Sequence, residues 1–382
     1  MRHRLLSLLL LSVVLPTIGP GRADAQVRRN EQQRPPSMTL EDYDPHSMLV
    51  TRETVVRRSK FPFVDIHGHQ DLTMSDGELA RLVAQMDAMN MRTMNNLSGG
   101  SGERLAAQVR NVRAKYPGRF TVFANIDWSR INEPNFARDA ADQLERDVKE
   151  GGAVGLKIFK NLGMDTYWAD GSRVRTDDPR LAPIWDKCGE LGIPVLIHTA
   201  EPPAFFLPID ARNERYLELT QFPNRARPSS KYPPFDSLIA EQHRMFKRHA
   251  RTQFISAHLS WLGQDLQRLS RTMDSIPNMN VEVAAALYEI GRQPRAGRDF
   301  FIKYQDRILM EGHLRWSGRV RGVLPHLRVE RRVLPVVPEA ARVLGDVRTV
   351  AAGLGASEGV LSECSQAGER NGAVSCCLGT EY

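Results

Sequence analysis

From Phe61 onward, short runs rich in Val, Ile and Phe recur eight times, at 62–67, 91–97, 120–127, 153–159, 194–198, 252–258, 279–285 and 307–310. Successive runs are separated by roughly 20 residues or more, too long for hairpins and right for crossover helices. Segments with helical spacing fill these gaps. Ser75-Asp76 precede Glu78 to Met89, and Asn135 precedes Phe136 to Glu150. Strands alternating with helices predict an α/β fold built on a parallel sheet. Eight such strands either close into a (β/α)8 TIM barrel or lie open as a doubly wound sheet. No Gly-rich dinucleotide fingerprint follows the first run, which favours the barrel. A chain of 382 residues holds one barrel with extensions at both ends.

The extensions differ in chemistry. Residues 1–25 place Arg2 and Arg4 before the apolar run Leu5 to Leu15 and end in Ala23-Asp24-Ala25. This pattern is that of a secretory signal cleaved before Gln26. As a membrane anchor, about 11 apolar residues cross only about half of a 30 Å hydrocarbon core. The mature chain is therefore expected to be secreted or periplasmic, with no membrane span. Residues 26–60 are polar, rich in Arg and Gln and broken by Pro35-Pro36 and Asp44-Pro45, which predicts a flexible leader. The net charge of +7 is too small and too evenly spread for a nucleic-acid partner. Cys188 stands alone and Cys364, Cys376 and Cys377 crowd the end, so no disulfide framework is expected. The proline-rich stretch from Pro202 to Pro234, between the fifth and sixth runs, predicts a structured lid or rim loop.

The histidines carry the chemistry. Val64-Asp65-Ile66-His67-Gly68-His69 sets two imidazoles at i and i+2 at the end of the first strand, pointing to one side. Such a pair is either half of a divalent-metal site or two surface histidines. His198 ends the fifth run and His258 the sixth. Four of ten histidines thus fall at carboxyl ends of strands, the face where barrel active sites sit. The others, His3, His46, His243, His249, His313 and His326, read as solvated or structural.

These motifs, with Gly155-Leu156-Lys157-Ile158-Phe159, Ile197-His198-Thr199, Ser256-Ala257-His258 and Asp306-Arg307-Ile308-Leu309-Met310, resemble the amidohydrolase superfamily over about residues 61–310. The resemblance is to its amidohydrolase-related branch, which also contains decarboxylases and hydratases. It implies that His67, His69 and His198 bind a divalent ion, taken as zinc, and that His258 contacts substrate or water, or binds a second ion. Lys157 is then a carboxylated bridge between two metals, a buried amine that orients a carboxylate substrate, or half of a salt bridge. Glu201 and Glu282 are candidate acid-base groups or partners of metal ligands, against the plainer reading that each pairs with a nearby Arg.

The pattern breaks at the eighth strand. Members of the superfamily end it with a metal-binding aspartate that takes a proton from water. Here Met310 is followed by Glu311-Gly312-His313, and no Asp occurs before Asp346. Glu311 is the residue placed to deputise as base. Residues 314–382 lack Lys and contain only Trp316 and Tyr382 as aromatics. With a free choice of codons, dropping one base from those for Gly312 to Val329 can yield Gly-Thr-Tyr-Gly-Gly-Pro-Ala-Glu-Tyr-Glu-Glu-Phe-Phe-Pro-Thr-Phe-Glu-Trp, which is similar to the family's C-terminal helices, as are two later stretches in that frame. The tail is therefore read as a frameshifted translation, with the last barrel helix missing or disordered.

The domain expectation is a signal at 1–25, a leader at 26–60, a barrel at 61–313 and an aberrant tail at 314–382. The functional expectation is a metal-dependent hydrolase of a small amide, ester or lactone, with His258, Lys157 and Glu311 as catalytic residues. Metal-bound water, with its pKa lowered to about 7, is the attacking group in that reading. A decarboxylase or lyase of the same fold and a catalytically inactive binding barrel are the rival readings. Substrate and oligomeric state are not legible.

Overall fold

A computed structural model describes residues 58–310, isolated positions between 37 and 50, and two dipeptides, Leu334–Pro335 and Ser375–Cys376. The signal, most of the leader, Glu311 and nearly all of the expected aberrant tail lie outside the described residues. The chain divides into two units, residues 1–49 and residues 50–382, and the strands and helices that carry the site belong to the second.

All eight expected strand positions are occupied. In chain order they are β1 (Phe63–Gly68), β2 (Met91–Asn96), β3 (Phe120–Val122), β4 (Ala124–Asn125), β5 (Leu156–Ile158), β6 (Val195–Ile197), β7 (Phe254–Ser256), β8 (Met279–Glu282) and β9 (Ile308–Leu309). β3 and β4 are two halves of the third position. Every ladder among these strands is parallel, in the orders β1-β2-β3 and β4 to β9. The halves part because the chain changes partner at Phe123, whose N–H donates to Asn96 O at 2.9 Å while the next N–H, of Ala124, donates to Gly155 O at 2.8 Å. At the other end, Ile66 N–H donates to Met310 O at 3.2 Å and joins the first strand to the last. The result is the (β/α)8 barrel class.

The helices between strands are α1 (Asp76–Met89), α2 (Gly102–Lys115), α3 (Phe136–Lys149), α4 (Ala182–Leu191), α5 (Tyr216–Gln221), α6 (Phe235–Arg248), α7 (Leu266–Ser275), α8 (Leu287–Gly291) and α9 (Pro294–Lys303). At the start of α1 the Glu78 carboxylate accepts from the Ser75 N–H at 3.0 Å and from its hydroxyl at 2.6 Å, as the capping pattern Ser-x-x-Glu favours. Each helix buries one stripe, such as Leu79, Leu82, Val83 and Met86 on α1, and leaves its charged face in water.

Two apolar layers result. The larger lies between strands and helices. The smaller fills the inside of the strands with Ile66, Leu97, Phe123, Leu196, Ile255 and Leu309, so the interior is a packed core rather than a pore. Gly155 makes room for it: a Cβ there would meet Phe123 Cζ at 2.4 Å. Cys188 is free and buried on α4, the small apolar role expected of it. The proline-rich insertion is structured, since the Asn213 side-chain amide donates to Ala204 O and Pro208 O, both at 2.9 Å.

Candidate metal centre

β1 delivers His67 and, just beyond its last residue, His69, β6 delivers His198 just beyond its own end, and β7 leads into His258. The structure brings these four imidazoles together. Ring centroids lie 5.1 Å apart for His67 and His69, 5.1 Å for His67 and His258, and 4.4 Å for His198 and His258. His198 Nδ1 sits 3.3 Å from His258 Nε2.

One nitrogen of three of the rings is committed outward. His67 Nδ1 lies 2.9 Å from Glu282 Oε1, His69 Nδ1 lies 2.9 Å from Ser98 Oγ, and His258 Nδ1 donates to Ala284 O at 2.7 Å. Such bonds fix the ring and its tautomer and leave the opposite nitrogen for a further ligand. Nε2 of His198 is buried and has no hydrogen-bond partner among the described residues. Burial first, then the neighbouring imidazole and ammonium charges, push His198 far below its ordinary pKa. Burial likewise takes His258 down to about 4, against the opposing pull of Glu282. His69 keeps part of its surface exposed, yet the protein atoms packed round it, aided by His67 and Lys157, lower it to about 3. Neutral imidazoles with inward lone pairs are what a divalent ion binds. Among the described residues, the group whose donor atoms all lie within 4.8 Å of one another is His67, His258 and Glu282, and His69 and His198 stand around it. The residues present therefore fit a metal ion.

Glu282, on β8, is fully buried. Its Oε1 accepts from His67 Nδ1 and, at 2.7 Å, from the His258 N–H, and its Oε2 accepts from the Ala284 N–H. Burial alone would raise its pKa, but the imidazoles of His67 and His258 and these hydrogen bonds overcome it and hold the carboxylate well below its ordinary range. Among the described residues it pairs with His67 and not with an arginine, which corrects the plainer expectation. Glu201 does follow that expectation, accepting from Arg227 Nη2 at 2.7 Å and from Lys160.

Lys157, in the middle of β5, is 1% exposed and has its Nζ 5.5 Å from the Phe159 ring centroid. Its charge acts on His69, His198 and His258, which sets it beside the histidine cluster. Glu311 lies outside the described residues, and Met310 is the last residue placed at the eighth strand end.

Two features escaped the sequence reading. His258, Leu259, Ser260 and Trp261 have φ of 58°, 54°, 57° and 50°, four consecutive left-handed residues without a glycine. Such residues cost about 1–2 kcal/mol each and concentrate at functional sites. Hydrogen bonds hold the turn: Glu282 takes the His258 N–H, and the Gln242 amide donates to Ser256 Oγ at 2.7 Å and Ser260 Oγ at 3.2 Å. The turn sets the Trp261 ring 4.5 Å from His258 and 5.8 Å from His198. Trp261 in the run Ala257-His258-Leu259-Ser260-Trp261 was the available signal.

A parallel barrel with an imidazole cluster at the carboxyl ends of its strands defines a class of barrel enzymes. Within that class the chain belongs to the amidohydrolase family, whose model matches residues 64–309. No curated protein matches the chain in sequence. Among solved structures it is similar to 2,6-dihydroxybenzoate decarboxylase, at 18% identity and TM-score 0.40, over 66% of this chain and 88% of that one. A dihydroxybenzoic acid decarboxylase from a Polaromonas species, with bound manganese and 2-nitroresorcinol, is 18% identical at TM-score 0.41, over 66% and 86% of the two chains. 4-Oxalomesaconate hydratase from Rhodopseudomonas palustris is 15% identical at TM-score 0.46, over 80% and 99%.

Proposed function

We propose that the chain is a metal-dependent lyase that decarboxylates a small carboxylic acid, with His67, His69 and His198 holding one divalent ion. The observation that carries this reading is the state of the carboxylates at the barrel mouth. Glu282 is locked by His67 and two backbone N–H groups and kept ionised, and Glu201 is paired with two cations. A carboxylate held well below its ordinary pKa is a poor proton acceptor at neutral pH. Hydrolysis by activated water needs such an acceptor, and the sequence position expected to supply it, Glu311, departs from the family's aspartate. Decarboxylation has no such need: the carbon–carbon bond breaks, carbon dioxide leaves, and the carbon keeps the electron pair and takes a proton from solvent.

When bound, the ion supplies Lewis-acid polarisation of substrate oxygen. The chain's own residues do the rest. Lys157 meets the substrate carboxylate with a buried positive charge, which a low-dielectric site makes effective. His258, kept neutral and oriented through Ala284, contacts the substrate. The Trp261 ring bounds the space next to His258 and His198 and excludes water.

The experiment is carbon dioxide release by the metal-loaded protein from a panel of hydroxybenzoates that includes 2,6-dihydroxybenzoate, run beside phenyl esters and lactones. Carbon dioxide from any panel member with esters and lactones untouched supports the proposal. Ester or lactone turnover at ordinary enzyme rates, about 1–1000 per second, without decarboxylation overturns it and restores the hydrolase.

A further inference from the structure

A second charged group stands where the chain leaves β5 and β6. Glu201, three residues after His198, is 5% exposed and uses one oxygen, Oε1, for both Lys160 Nζ and Arg227 Nη2. Lys160 lies two residues beyond the end of β5, and Arg227 lies in the proline-rich insertion. Both cations therefore reach the same rim as the histidines, and the charge of Lys160 is felt by His198.

Arg227 is held firmly. Its N–H donates to Phe205 O at 2.7 Å, and Nη1 donates to Asn224 O at 3.0 Å, Arg225 O at 2.9 Å and Ala226 O at 3.0 Å. The Tyr232 ring centroid lies 5.3 Å from its Cζ. Its side chain is only 11% exposed, and its buried Nε has no hydrogen-bond partner among the described residues. One carboxylate against two cations leaves a positive charge over, and Lys160, with its side chain 42% exposed, presents its share of that charge at the surface of the rim. A buried guanidinium donor without an acceptor adds a cost that an arriving anion can relieve by drawing the side chain towards it.

We infer that Lys160 and Arg227 form an anion subsite beside the histidine cluster that receives a second acidic group, so that the preferred substrates are small dicarboxylates. This inference rests on the carboxylate reading proposed above. In it Lys157 takes the carboxylate next to the histidines, and the Lys160 and Arg227 pair, kept in place by Glu201 before substrate arrives, takes the other. Pre-organised cations turn the second carboxylate into affinity, because little ordering remains to be done on binding.

Calorimetric titration of the metal-loaded full chain with two matched pairs of probes tests it: isophthalate against benzoate, and glutarate against butyrate. Charge-assisted hydrogen bonds predict that at least one dicarboxylate binds about 10- to 100-fold more tightly than its monocarboxylate match. Arg227→Gln and Lys160→Met should each bring that ratio towards one. Should Arg227→Gln fail to fold by thermal melting, Lys160→Met, at a half-exposed position, and the charge-keeping Arg227→Lys, which should retain part of the preference, decide instead. A wild-type ratio near one in both pairs while the monocarboxylates still bind overturns the subsite and leaves the carboxylate reading standing. So does a preference that survives both Arg227→Gln and Lys160→Met. Absence of binding by all four acids overturns the subsite and the carboxylate reading together.

Discussion

Glu282 Oε1 lies 2.9 Å from His67 Nδ1, and these two residues, from β8 and β1, tie opposite ends of the strand sequence into one centre. The carboxylate fixes the ring so that the other imidazole nitrogen points to the cluster, while its remaining bonds hold the His258 and Ala284 backbone. Glu282→Gln keeps the shape but replaces a charged acceptor by an amide that must also place two N–H donors. Loss of such an orienting partner typically costs 10- to 100-fold in metal affinity. Competition titration with a chelator should show that drop, together with a loss of about 1–3 kcal/mol in stability. Unchanged affinity would mean that His67 needs no orienting partner.

Lys157→Met removes the buried ammonium while keeping the length of the side chain. Metal content should stay near that of the parent, whereas turnover of a carboxylate substrate should fall by about 100- to 1000-fold, the usual loss when one electrostatic contact to the reacting group goes. A variant with unimpaired turnover would place Lys157 in structure alone.

The lowered imidazole pKa values make the metal-free protein sensitive to acid. His258 titrates near 6.5 in an unfolded chain and at about 4 when folded. The unfolded state therefore binds protons more readily as pH falls below about 6.5. The contribution of His258 is intact above that value, declines between about 6.5 and 4, and levels off below the folded pKa. Urea unfolding of the metal-free protein should show a falling midpoint across this window, and His258→Gln should flatten the slope. A midpoint independent of pH from 7 to 4 would contradict the buried, neutral state of His258.

Ala285, with φ of 49°, offers a test of backbone strain next to the site. Ala285→Gly should hold or raise stability, by up to about 1 kcal/mol, because glycine tolerates this conformation. Ala285→Val should lower it by more than about 1 kcal/mol, since a β-branched residue resists positive φ. Equal melting temperatures for the two variants would show that the strain is relieved locally.

The barrel was legible because its signals are local. Runs such as Val195 to Ile197 and Phe254 to Ser256 are buried throughout, so each reads as a short continuous apolar segment. The i and i+2 spacing of His67 and His69 is likewise a property of one strand. What stayed hidden depends on distant partners. Glu282 is 215 residues from His67, and nothing near it in sequence names an imidazole as its partner. Leu259, Ser260 and Trp261 have no preference for left-handed backbone, and the turn is imposed by Glu282 and Gln242 from other elements. The change of partner at Phe123 follows from packing its ring over Gly155, a contact that no periodicity reveals.

The histidine cluster as a metal centre is the claim on which the rest depends, and metal analysis of the purified protein tests it most directly. A site of three imidazoles loses most of its affinity when ligands are removed. The parent should hold one divalent ion per chain, and the His67→Ala, His69→Ala double variant should lose at least about tenfold in occupancy, with the melting curve still cooperative. Stoichiometric metal surviving in that double variant, or a parent that takes up none when supplied with zinc or manganese, would contradict it.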